Sequence, residues 1–260
     1  MPKPKIGLSL LYMLSEPFSM MIKQLATVKT PYIEIVDEGA HALNKKRIQI
    51  LNEIAKSYGL TYTLHSPFAD INIASPSKLI LNASIKRLKQ SMAFANALNA
   101  KLWVFHPGMR TGISSFYPGK DWKQNIQSIR LLHKTAEEYK VQIALENLPE
   151  PFPFTMKGVD DFRRFYKETN MDLGLVIDVG HANISQQTDR FLRTFKDKIV
   201  HIHASDNMGE TDQHLGIGYG KINWQQLAQT LKEIAYDKII MLETIEHVEE
   251  SLQKLSQLLD

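Results

Sequence analysis

The stretch GLVIDVGH, residues 174–181, decides the fold of this chain. An apolar run of strand length ends on Asp178, and Gly180 then lets the backbone turn tightly, so that Asp178 and His181 can point into one site. The same pattern recurs in TYTLHSP (61–67), LWVFHPG (102–108), QIALEN (142–147), IVHIH (199–203) and IIMLET (239–244). Each is a short run rich in Ile, Leu and Val that ends on a histidine or a carboxylate. Runs that are apolar throughout are expected of parallel strands buried on both faces. Strands are thus predicted near 4–10, 31–36, 60–65, 101–105, 141–146, 173–178, 198–203 and 238–243. Amphipathic stretches lie between them, near 17–28, 45–58, 77–99, 122–139, 158–169, 185–196, 223–235 and 247–258. Asn44, Ser75-Pro76 and Asp121 are start signals for three of these helices, and Gly59 is placed to end the second. Strands alternating with helices in this way predict an α/β fold, a single (β/α)8 TIM barrel over 1–260, with its active site at the C-terminal rim of the strands. An open doubly wound sheet would need a glycine-rich phosphate loop after the first strand, and LSLLYMLSEPF (8–18) has none.

Composition narrows the chemistry. The 260 residues are 43% hydrophobic, enough for a large core, and the net charge of +3 suits an anionic substrate without demanding one. With no cysteine, disulfides, thiol catalysis and zinc-thiolate sites are excluded. Any metal must be held by imidazole and carboxylate, which suits Zn²⁺, Mn²⁺, Co²⁺ or Fe²⁺. The segment MPKPKIGLSLLYMLSEPF (1–18) reads as a first strand and loop better than as a signal peptide, and no apolar run approaches a membrane span. A cytoplasmic protein is expected.

Nine potential metal ligands recur: His65, His106, Glu146, Asp178, His181, His203, Asp212, His214 and Glu243. Glu146, Asp178, His203 and Glu243 end strands five to eight, and four such groups can hold one cation with room left for substrate oxygens. Glu146 and Glu243 can also act as acid and base on opposite faces of a bound sugar. Asp212 and His214, two apart in a loop, share a side and can grip a further ion. His65 and His106 sit at equivalent strand ends, whereas His41, His133 and His247 fall in a loop, a helix face and a helix start. His201 shares the face of His203 and is expected deeper in the barrel. Asp206 reads as a group that orients a histidine or caps a helix. Arg110 and Lys221 are candidates to neutralise a phosphate, and Asn147 and Glu34 to bind substrate hydroxyls.

HSPFADINIAS (65–75), VFHPG, ALEN, GLVIDVGH, HIHASD (201–206), DQHLGIGYGKINW (212–224) and the terminal LET (242–244) resemble the xylose isomerase-like TIM-barrel superfamily over essentially the whole chain. That group includes sugar and sugar-phosphate isomerases and epimerases, and apurinic-site nucleases of the endonuclease IV type. The resemblance to the epimerases implies one metal, often Mn²⁺, on Glu146, Asp178, His203 and Glu243, with the two glutamates moving the proton and His181 or Arg110 orienting a hydroxyl or phosphate. The resemblance to endonuclease IV adds His65, His106, His181, Asp212 and His214, a three-zinc cluster and DNA as partner. One to three divalent ions are therefore implied. Against a DNA substrate, Phe68 stands where that nuclease family has a tyrosine, and Asp37 and Glu38 open the loop after strand two, where they would repel phosphate. Oligomeric state is left open by the sequence, although barrels of this type often pair as homodimers.

Overall fold

The computed structural model describes residues 3–259; residues 1, 2 and 260, which the 1–260 assignment takes in, lie outside the described residues. Eight strands close into a barrel in sequence order, each parallel to the next. They are β1 (Lys5–Ser9), β2 (Tyr32–Val36), β3 (Thr61–His65), β4 (Trp103–Phe105), β5 (Ile143–Glu146), β6 (Gly174–Asp178), β7 (Ile199–Ala204) and β8 (Ile239–Leu242). The helices around them are α1 (Phe18–Leu25), α2 (Lys45–Tyr58), α3 (Lys78–Ala97), α4 (Lys120–Tyr139), α5 (Val159–Thr169), α6 (Val179–Ile184), α7 (Thr188–Thr194), α8 (Trp224–Glu233) and α9 (Val248–Leu259).

Most of the local signals act as their chemistry requires. The Asn44 side chain accepts the Arg47 N–H and starts α2, and Gly59 ends it with a left-handed φ of 66°. Asp121 lies inside the first turn of α4, behind Gly119. Ser75 accepts the N–H of Ser77, the residue that precedes α3. The expected 185–196 helix is shorter, and the six-residue α6 precedes it. Its start is fixed by Asp178, whose carboxylate accepts the His181 N–H at 2.7 Å.

Strand alternation sorts the two faces of the wall. Trp103, Phe105, Ile143, Leu145, Leu175 and Ile177 belong to the main core with Phe162, Phe165 and Phe191 from the helices. The residues between them, Val104, Ala144 and Val176, form a separate small cluster with Leu102. Two residues further along that second face stand His106, Glu146 and Asp178. The candidate ligands are thus the next layer above an apolar barrel floor.

Candidate metal centre

Glu146, Asp178, His203 and Glu243 each bring a donor atom within 4.8 Å of the others, and all four are buried. His203 Nδ1 lies 3.3 Å from Glu146 Oε1 and 3.3 Å from Glu243 Oε2. Two further groups flank this one. His65 and His106 approach the other oxygen of Glu146, with Nε2 to Oε2 distances of 3.4 and 3.3 Å. On the opposite flank, Asp212 Oδ2 lies 3.1 Å from His181 Nε2 and 3.2 Å from His214 Nε2. A tetrahedral ion with bonds of about 2.0–2.1 Å separates its ligands by roughly 3.3 Å, so these spacings suit coordination edges as well as ion pairs.

The backbone fixes the histidines for this use. His65 Nδ1 donates to the Ser66 carbonyl, His181 Nδ1 to that of Asn147 and His214 Nδ1 to that of Glu243, each at 2.8 Å. In all three one proton is committed to Nδ1, so Nε2 is the nitrogen that faces the carboxylates and that a cation would take once its proton is displaced. His214 reaches its place with a left-handed φ of 48°, a strain of order 1 kcal/mol for a residue with a Cβ. The loop bearing it is anchored by Asp206, whose buried carboxylate accepts the N–H groups of Asn207, Gly218 and Ile222 and the Trp224 indole.

Charge crowding shifts every group. Burial pushes Glu146 up, but the His203 charge and hydrogen bonds from His106, His203 and His65 hold its carboxyl well below the usual range. Glu243 is lowered against burial by the same His203. Burial raises Asp178 to about 6, with Glu146, Asp212 and Glu243 adding to it against His181. Burial would lower the imidazoles, yet Glu146 brings His65 to about 8. Likewise Asp178 and Asp212 bring His181 to about 10, and Asp212 and Glu243 bring His214 to about 9. His106 alone of this set falls, because burial outweighs Glu146. Carboxylates packed this closely need positive charge among them, from imidazolium protons or from divalent cations. Asp178 Oδ2 and Asp212 Oδ1 are buried without a hydrogen-bond partner, a costly state unless a cation satisfies them. The oxygen and imidazole donors fit divalent ions such as Zn²⁺ or Mn²⁺.

Above the ligands opens a cavity of about 380 Å³. Glu146, Glu243, His65, His106, His181, Asp212 and His214 line its polar side, and Leu11, Phe68, Met109, Leu148, Phe152 and Phe154 its apolar side. Asp178 and His203 lie fully buried beneath. Arg110 stands outside the lining and pairs with Asp121 at 2.9 Å. Lys221 is exposed, also outside it. Asn147 is buried and exchanges two hydrogen bonds with the Asp178 backbone, through Oδ1 at 2.8 Å and Nδ2 at 3.2 Å. Glu34 is buried under His203. Asp37 and Glu38 do not face solvent as free charges, contrary to the expectation that they would repel phosphate. Asp37 is buried against the Arg87 guanidinium, and Glu38 accepts the N–H groups of Phe68 and Ala69. Leu11, Met109 and Leu148, which carry no signal in the sequence as walls of the cavity, lie in segments whose course is set by distant contacts such as these.

A family model described as xylose isomerase-like TIM barrel matches residues 22–259. The chain belongs to that family. An uncharacterized protein of Methanocaldococcus jannaschii is 31% identical over 248 residues, covering 92% of this chain and 83% of its own. The crystal structure of a D-tagatose 3-epimerase-like protein superposes with a TM-score of 0.88 at 29% identity, over 97% of this chain and 98% of that one. The D-psicose 3-epimerase of Ruminiclostridium cellulolyticum is 23% identical over 239 residues, 87% of this chain and 78% of that protein. A probable endonuclease 4 of Aquifex aeolicus is 24% identical over 218 residues, 74% and 72% of the two chains. No helix among the described residues is long and apolar enough to cross a membrane.

Proposed function

We propose that the protein is a divalent-metal-dependent isomerase or epimerase of a small sugar. One observation carries the reading. Of the four central ligands, only Glu146 and Glu243 also line the cavity, while Asp178 and His203 are sealed below it. Two carboxylates that reach both the ion site and the substrate space are what a proton transfer between neighbouring carbons requires. A cation held by Glu146, Asp178, His203 and Glu243 supplies Lewis acidity to a substrate carbonyl. His203 holds both glutamates ionised in the free site despite burial. One of the pair removes a proton from the substrate carbon, and the other, having taken up a proton from solvent, gives it to the opposite face, so that a turnover exchanges their protonation states. His181, with Nε2 turned to the cavity, orients a hydroxyl. The apolar wall of Phe68, Phe154, Met109 and Leu148 excludes water and takes the C–H face of the sugar. Among the described residues that line the cavity there is no lysine or arginine, which favours an uncharged sugar over a sugar phosphate. The volume lies near the low end of the ~300–1,000 Å³ usual for ligand pockets. The epimerase relatives support the same class.

The test is a screen of free ketoses in D₂O with Mn²⁺ or Co²⁺, read by NMR for epimer formation and for deuterium at the inverted carbon. Exchange that disappears in Glu146→Gln, with metal still bound, is the expected result. No exchange with any ketose, or full exchange in Glu146→Gln, sinks the proposal. A second reading, cleavage of a phosphodiester, is favoured by the third ligand group, since one-ion proton transfer has no use for Asp212 and His214 as ligands. Cleavage of abasic duplex DNA at three ions per chain would establish it.

A further inference from the structure

Three of the site histidines are oriented alike, with Nδ1–H on a backbone carbonyl and Nε2 toward the ligand cluster. His203 is inverted. Its Nδ1 faces Glu146 and Glu243, and its Nε2 points down into the barrel, hydrogen-bonded to Glu34 Oε2 at 3.4 Å with Oε1 3.1 Å away. No carbonyl serves it there; the acceptor is a carboxylate, fully buried within the sheet wall. Glu34 is in turn held by Thr63, with His201 close by. The Thr63 hydroxyl donates to Oε2 at 3.1 Å, and His201 Nε2 stands 3.6 Å from the same oxygen.

From this geometry we infer that Glu34 is a positioning residue of the metal centre: its carboxylate accepts a hydrogen bond from His203 Nε2–H, which keeps that proton on Nε2 and leaves Nδ1 free as a ligand. A carboxylate in this role also makes the imidazole a stronger donor than a carbonyl would. Glu34 therefore does not meet the substrate, since His203 and the ligand layer lie between it and the cavity. The inference rests on the metal-centre reading above and is independent of which reaction the centre performs.

The experiment is Co²⁺ binding to the metal-stripped full chain, by chelator competition and by the visible absorption of bound Co²⁺. The proteins are wild type, Glu34→Gln, Thr63→Val, His203→Gln and the double variant Glu34→Gln/His203→Gln. Glu34→Gln keeps the side-chain shape, and its metal-free melting curve reports folding. It is expected to weaken Co²⁺ binding about 10- to 100-fold and to alter the absorption band, with the ion count at saturation unchanged. Thr63→Val should shift affinity the same way by less. In the His203→Gln background Glu34→Gln should add little, because its effect passes through that imidazole. Undiminished affinity in Glu34→Gln overturns the inference, as does an equal loss in the His203→Gln background. Disappearance of one whole ion at saturation overturns it too, by making Glu34 a ligand of a site shared with His201 and His203. A wild-type protein that binds no Co²⁺ removes the metal-centre reading and this inference with it, whereas loss of sugar turnover alone touches neither.

Discussion

Metal binding should depend on pH differently at the two flanks of the site. In the metal-free protein His181 holds its proton to about pH 10 and His214 to about pH 9. An ion entering between them at pH 7 must displace both. Each pK unit is a factor of ten, so the cost is about 10³-fold at His181 and about 10²-fold at His214, roughly 7 kcal/mol together. Between about pH 7 and about pH 9, affinity at this group should rise about a hundredfold per pH unit. On the other flank only His65, at about 8, carries a proton to displace, because His106 is lowered by burial. There affinity should rise about tenfold between pH 7 and pH 8 and then level off. The stability of the metal-free protein follows the same signs. A histidine whose pKa is raised in the folded state stabilises fully below its unfolded value, about 6.5, and that contribution is lost as pH climbs through about 8 and then about 9. Calorimetric titration of the stripped protein with Zn²⁺, in two buffers of different ionisation enthalpy, counts the protons released. His214→Ala should remove the steep component and keep the shallow one. A single shallow slope in the wild type, or no proton release near pH 7, would refute the reasoning.

Three more outcomes follow from named contacts. His106→Ala should leave sugar turnover within a few-fold of wild type if one central ion suffices, and should abolish phosphodiester cleavage if that is the reaction; steady-state rates on both substrate types decide. Asp206→Ala orphans three backbone N–H groups and the Trp224 indole, so chemical denaturation should show a loss of about 3 kcal/mol or more, and ion counting should show the His181–Asp212–His214 group emptied first. Phe162→Ala removes a fully buried ring packed edge-on against Phe191 and Phe195, at 5.7 and 6.2 Å, and should cost about 3–5 kcal/mol in urea unfolding without changing the ion count. A loss under about 1 kcal/mol there would contradict the packing described.

The barrel was legible because buried parallel strands leave little freedom in sequence. They must be apolar on both faces, so a histidine or carboxylate closing such a run stands out, and eight repeats leave one plausible closure. Depth within the barrel was not legible. Glu34 lies at the same strand parity as many rim residues, and it reads as a substrate contact until the stagger of tilted strands places it below His203. That stagger depends on register between strands, which no single run encodes. The helix 179–184 was also hidden, because its start is a side-chain bond from Asp178, a residue whose more visible role is as a ligand. Long-range pairing was the third blind spot. Asp37 reads as a free charge in its loop, while its partner Arg87 sits on α3, 50 positions away.

Floor and walls of this site carry different information, and they bear on different halves of the function. The floor is a set of donors spaced for divalent ions, and such a set serves proton transfer and phosphodiester cleavage alike, because both need an electrophile beside a shared carboxylate. Substrate choice is left to the walls. A nucleic acid strand presents a regular row of phosphates, and tight binding to it calls for lysine and arginine along the rim. Three cations near the rim are engaged by the protein itself, Arg110 by Asp121, Arg87 by Asp37 and Lys157 by Glu150, while Lys221 is exposed outside the cavity. What faces the ligand cluster is Phe68, Phe154, Met109 and Leu148 around a cavity of a size to admit a small molecule. An enzyme with this floor and these walls gains more from excluding water around two glutamates than from gripping a polyanion. Freeing one of those cations therefore offers a direct contrast: Asp121→Asn should raise affinity for DNA only if the strand passes over Arg110, and should leave a sugar reaction unchanged.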